Sequence, residues 1–204
     1  MTRLPAFLLA PIVLVQGRAL RRRIPAMPPA EPRSGGSPAP DATRLLVLGD
    51  STAVGTGVEQ MADAMAGQLA RRLPQSVAWR AVGENGATSA RVRDRFLPEA
   101  LAAPCDLAVV LVGWNDALRA ASPTARLVVV GSPAFGDLAV LPQPLRAALG
   151  AHTRGLDRAA ARVAGERGAV FVPGFDGRSV AADGFHPDAQ GYATLAERVA
   201  AALA

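Results

Sequence analysis

Apolar positions along the chain alternate between short continuous runs and helical spacings. Residues 45–48 form a run, Leu45-Leu46-Val47-Leu48, that ends in Gly49-Asp50-Ser51. A short apolar run closed by glycine suits a buried parallel strand. A helix is predicted from about Val58, because Val58, Met61, Met65, Leu69 and Leu73 recur at helical spacing. Further strands are predicted over 76–82, 106–112, 126–130 and 169–172. Helices are predicted over 88–102, where Pro98 bends or ends the element, and from about 145, continuing through 156–167. The chain closes on a helix carrying Tyr192, Leu195, Val199 and Leu203 on its apolar side. Five strands alternating with helices predict an α/β fold with a parallel sheet covered on both faces.

The first 42 residues break this pattern. Residues 4–15 are apolar but interrupted by Pro5 and Pro11, and Arg18 and Arg21, Arg22 and Arg23 follow. The apolar stretch falls short of the roughly 20 residues a spanning helix needs. It fits an interfacial anchor, a short signal-anchor or a secretory signal. Basic residues after the apolar part stay cytoplasmic and favour anionic headgroups. Residues 1–24 are therefore expected to meet a membrane surface, with the body on the cytoplasmic side. A greasy, unanchored tail is the rival reading. Residues 25–42 hold six prolines around Ser34-Gly35-Gly36-Ser37 and read as a linker. The folded domain is expected over 43–204.

Composition narrows the function. Half of the 204 residues are hydrophobic, enough for one domain with a sizeable core. All 22 basic residues are arginine, and the net charge is +5. Residues 1–43 carry +4 of it, from six arginines against Glu31 and Asp41. The nearly neutral body argues against a nucleic-acid partner, which needs basic surface on the folded domain. The single cysteine, Cys105, excludes an intrachain disulfide and a Cys-cluster metal site, and reads as a packing residue.

Ser51 lies just past the carboxyl end of a strand and ahead of a helix, where ligands bind in open α/β sheets. A Gly-Asp-Ser turn alone is usually only a turn. A phosphate-cradling loop would carry Lys-[Ser/Thr], and the chain has no lysine. A nucleophilic serine needs a base and oxyanion donors. Two histidines are available. His152 stands in Arg/Gly-rich sequence and reads as solvated, whereas His186 stands in the loop Asp183-Gly184-Phe185-His186-Pro187. Asp183 can hold its imidazole in one tautomer. The backbone N–H groups of Ser51 and Gly86 and the side-chain amide of Asn115 can receive an oxyanion, because all three follow strands of the sheet.

These residues also carry a family resemblance. Gly49-Asp50-Ser51, Gly86-Ala87-Thr88, Gly113-x-Asn115-Asp116 and Asp183-x-x-His186-Pro187 resemble, in order, the four blocks of the SGNH (GDSL-type) hydrolases. The resemblance runs from Leu45 to the C-terminus. It implies a three-layer α/β/α sandwich with a five-stranded parallel sheet, flavodoxin-like in outline. It implies Ser51 as nucleophile, His186 as base, Asp183 as its partner, and Ser51, Gly86 and Asn115 as the oxyanion hole. No metal or organic cofactor is implied. The substrate would be a small-molecule ester or thioester, cleaved through an acyl-enzyme.

Two features depart from the family pattern. Trp114 stands where a smaller residue is usual; it either walls the acyl pocket or packs on the following loop, and the pocket wall is the favoured reading. Only residues 113–125 join the third and fourth strands, although a parallel crossover usually takes a dozen or more residues and a full helix. The short crossover motivates one alternative, a degenerate member without catalysis. A flavodoxin-like module cradling a flavin phosphate at 49–57 is the other, and leaves Asn115 and His186 without a role.

Overall fold

The computed structural model describes residues 10–23, 27–111 and 126–204. Six strands form one sheet in the order β1-β3-β2-β4-β5-β6. They are β1 (Ser34–Gly36), β2 (Thr43–Gly49), β3 (Val77–Gly83), β4 (Leu107–Leu111), β5 (Arg126–Val130) and β6 (Val170–Val172). The five strands read from the sequence pair in parallel, and β1 adds an antiparallel edge against β3.

Side chains alternate along β2, and both faces are buried. Leu45 and Val47 enter a core with Val109, Val128, Met65, Leu69, Tyr192, Leu195 and Val199, which seats α2 (Met65–Ala70) and α6 (Ala189–Leu203) on that face. Leu46 and Leu48 point the other way, toward Val110, Val92, Phe96 and Leu97, under a π-helical segment (Val92–Phe96) that follows α3 (Ser89–Arg91) and under α4 (Leu97–Leu101). Two-sided burial is why the strand is apolar throughout. Cys105 is buried in this second core, as its packing assignment requires. α5 (Leu145–Glu166) is one 22-residue helix packed against β5 and β6. The result is the expected α/β/α sandwich.

Three elements differ from the sequence reading. The helix predicted from Val58 does not start there: residues 51–57 form a turn, Met61–Asp63 is a 3₁₀ turn, and Ala64 is extended ahead of α2. Met61, Met65 and Leu69 are nonetheless fully buried, so the spacing marked burial while the backbone between them is broken. Pro98 does not end the 88–102 element. The π-helical segment, Val92–Phe96, joins α3 to α4, and Pro98 sits in the first turn of α4.

The proline-rich stretch is the third difference. Ala30 is buried in the core and its N–H donates to the Val54 carbonyl at 2.9 Å. The Glu31 carbonyl accepts from the Met61 N–H at 3.0 Å, the Glu31 N–H donates to the Glu59 carbonyl at 3.2 Å, and β1 then lies along β3. Proline disfavours helix but suits an edge strand, and here the stretch covers a sheet edge that would otherwise be open. Residues 27–42 thus form a strap on the domain.

Ahead of it, α1 (Ala10–Arg23) packs on the start of α5. Gln16 donates to the Gln143 carbonyl at 2.7 Å and accepts from the Leu145 N–H at 3.1 Å. No helix among the described residues is long and apolar enough to cross a membrane. Half of the apolar stretch behind the expected membrane contact, residues 4–9, lies outside the described residues.

Candidate active site

The carboxyl ends of β2, β3 and β4 close tightly because glycines end two of them. A Cβ on Gly83 would come within 2.1 Å of the Gly49 carbonyl oxygen. From this rim the chain enters the 51–57 turn. Asp50 Oδ1 accepts from the Thr52 N–H at 3.0 Å, and the Thr56 N–H donates to the Ser51 carbonyl at 2.9 Å. The Asp50 carboxylate thus fixes the first turn after the strand, and Ser51 is held at its apex.

His186 is presented by a loop fixed from both sides. Val180 and Pro187 form an antiparallel bridge, and the Ala181 N–H donates to the His186 carbonyl at 2.8 Å. Asp183 organises the loop. Its Oδ1 accepts from the N–H groups of Phe185 and His186 at 2.9 and 3.0 Å, and its Oδ2 lies 2.6 Å from His186 Nδ1. The side chain of Asp183 is fully buried and that of His186 only 16% exposed, so the pair faces little competing water. Burial alone would raise the Asp183 carboxyl. Hydrogen bonds from the His186 ring and the two N–H groups outweigh it and hold the group below the usual range. Phe185 packs edge-on against the imidazole, with centroids 5.2 Å apart. Gly57 lets the 51–57 turn meet this loop, since a Cβ there would lie 2.3 Å from the Pro187 carbonyl and 3.2 Å from His186 Cβ.

Ser51 and His186 line one cavity of about 270 Å³. Its remaining wall is mostly apolar, with Leu111, Val130, Phe135, Leu156 and Phe175 among the lining residues. It opens over the ends of β4 and β5. Gly86 lies on the other side of Ser51, in the exposed turn after β3, with φ +72°. Asn115 and Trp114 lie outside the described residues, as does the short crossover, so neither the third oxyanion donor nor the Trp114 wall has a place in this geometry. His152 is exposed on α5, as expected. Among the described residues, no group of His, Cys, Asp and Glu is arranged to hold a metal ion.

Sequence reasoning did not single out Asp50. Burial pushes its carboxyl up to about 6, partly offset by the Thr52 N–H and by His186. A folded-state value above the unfolded one means that Asp50 costs stability when ionised. The cost is absent below about pH 4 and complete above about pH 6. Asp50→Asn retains an oxygen for the Thr52 N–H and removes the charge. Its melting temperature is expected to exceed that of the native chain at pH 7.5, with the gain vanishing near pH 4. Thermal melts across that range check it.

Comparison with known proteins decides the family. The GDSL-like lipase/acylhydrolase family model matches residues 47–194. The chain belongs to this family. It is 32% identical over 242 residues to a GDSL-like esterase of Mycobacterium tuberculosis, covering 93% of this chain and 76% of that relative. Among solved structures, it is similar to TesA, with a TM-score of 0.58 and 24% identity over 79% of this chain and 98% of that one. It is also similar to an extracellular lipase from Streptomyces rimosus, with a TM-score of 0.57 and 19% identity over 76% and 99%. These two structures share its fold. As a GDSL-like family member the chain is a hydrolase acting on esters, which sets aside the flavin-cradling alternative.

Proposed function

We propose that the chain hydrolyses carboxylic esters or thioesters through an acyl-enzyme on Ser51. His186 Nε2 takes the proton as Ser51 Oγ attacks the carbonyl carbon. The tetrahedral oxyanion is received by the N–H groups of Ser51 and Gly86 and by the Asn115 amide. Collapse expels the alcohol or thiol, which leaves with the proton from His186. Water, deprotonated by the same imidazole, then attacks the acyl carbon; the Ser51 Oγ–acyl bond breaks, Oγ takes the proton back from His186, and the acid is freed. Asp183 accepts from Nδ1–H throughout and stabilises the imidazolium. Trp114 would wall the acyl side.

The observation that carries this reading is the buried Asp183–His186 pair at 2.6 Å, opening on the cavity that Ser51 also lines. The apolar wall favours an aliphatic acyl group over a sugar, which would leave its hydroxyls unpaired there. Reaction with a fluorophosphonate probe, followed by mass spectrometry of the tryptic peptides, tests it. The expected result is one adduct, on Ser51, together with turnover of p-nitrophenyl esters. A folded chain that shows neither adduct nor turnover is instead the degenerate member.

A further inference from the structure

We infer that Asn85 is a positioning residue. Its side-chain amide ties the Gly86 turn to the nucleophile turn and to the N-terminal strap, and so aims the Gly86 N–H. The inference rests on the acyl-transfer reading above.

Apart from the buried Ala87 side chain, the Gly86 turn has little else to hold it. Gly86 is exposed and nothing lies within 4 Å of where its Cβ would be. One backbone bond closes the turn, from the Ala87 N–H to the Glu84 carbonyl at 3.1 Å. Glu84 pairs with Arg91 and Arg95, but these are exposed ion pairs, of the kind worth at most about 1 kcal/mol. Neither reaches the serine. The link to the serine runs through Asn85. Its Oδ1 accepts from the Thr56 hydroxyl, and its Nδ2 donates to the Met27 carbonyl at 2.7 Å. The amide orientation follows from its partners, because the Met27 carbonyl can only accept.

Thr56 is itself fixed. It is buried, its N–H holds the Ser51 carbonyl, and its own carbonyl accepts from the Tyr192 hydroxyl at 2.8 Å. That tyrosine reaches it from α6 through the core. One chain of hydrogen bonds therefore runs from the core helix through the nucleophile turn to the turn bearing Gly86, and ends on the strap at Met27. Met27 precedes the part of the chain matched by the family model. An oxyanion donor is useful only when aimed within a few tenths of an ångström, and loss of one typically costs about 10²–10³ in kcat. A donor that is loosened rather than removed should cost less, on the order of tenfold.

The test measures kcat and KM on p-nitrophenyl acetate, with melting temperatures, for four full-length variants. Asn85→Ala and Thr56→Val are each expected to lower kcat about tenfold with KM nearly unchanged. Thr56→Ser keeps the hydroxyl and should stay close to native. The Thr56→Val/Asn85→Ala double variant should be no slower than the slower single variant, because both cut one link. Native kcat in Asn85→Ala, an equal loss in Thr56→Ser, or multiplied losses in the double variant would each overturn the inference. Native protein that forms no fluorophosphonate adduct and turns over no ester removes the acyl-transfer reading, and this inference with it.

Discussion

Replacing Ser51 with alanine is expected to slow p-nitrophenyl acetate hydrolysis by about 10⁶-fold while leaving the fold intact. Loss of a nucleophile from a working triad costs about this much in kcat, because the remaining members have nothing to act on. The structural cost should be slight. The contribution of Ser51 to its turn is its carbonyl, which accepts from the Thr56 N–H, and alanine retains it. The carboxylate that shapes the turn belongs to Asp50. The melting temperature should therefore stay within a degree or two of native, and the fluorophosphonate adduct should disappear. Residual turnover within tenfold of native would move the nucleophile elsewhere.

The parts of this fold that were legible are those whose sequence signal is local. Leu45 to Leu48 read as a central strand because two-sided burial demands an unbroken apolar run, and both faces are covered. The conformation of the His186 loop was legible for a similar reason. A spacing of three lets one carboxylate accept two backbone N–H groups and still reach the ring of His186, and Asp183 does all of this. Helical spacing was less informative before α2. Met61 and Met65 are buried as the pattern requires, yet burial does not demand a continuous helix, and Ala64 is extended between them. Nor did proline content reveal β1. Six prolines exclude a helix there, but an extended backbone is also what an edge strand uses.

What stayed hidden depends on partners far apart in the chain. Asn85 meets a hydroxyl 29 residues away and a carbonyl 58 residues away, and no local pattern encodes either contact. Tyr192 reads as one more apolar helix position until the fold brings its hydroxyl to Thr56. Burial raises that phenol well above its ordinary value, so it stays a neutral donor. Asp50 is similar: its place beside Ser51 is plain in the sequence, but its burial is a product of packing.

Asp183→Asn is expected to lower kcat by about 10⁴-fold, and the reason lies in which proton His186 keeps. The two N–H groups of Phe185 and His186 need an acceptor, so an asparagine there would turn its oxygen toward them. Its NH₂ would then face His186 Nδ1, which must become the acceptor. That tautomer carries its proton on Nε2 and cannot take one from Ser51. The stability consequence has a definite sign. The Asp183 carboxyl is held below the usual range, so it contributes stability above about pH 4 that is lost as pH falls through its lowered value. The native chain should melt above Asp183→Asn at neutral pH, and the gap should narrow on acidification. This is opposite to the trend expected for Asp50→Asn, where the variant is the more stable protein at neutral pH. Melting curves of both variants from pH 3 to 8, with kcat at pH 7.5, separate a carboxylate whose charge holds the base from one whose charge the fold merely tolerates. A loss of less than tenfold in Asp183→Asn would show that His186 keeps its tautomer without the carboxylate.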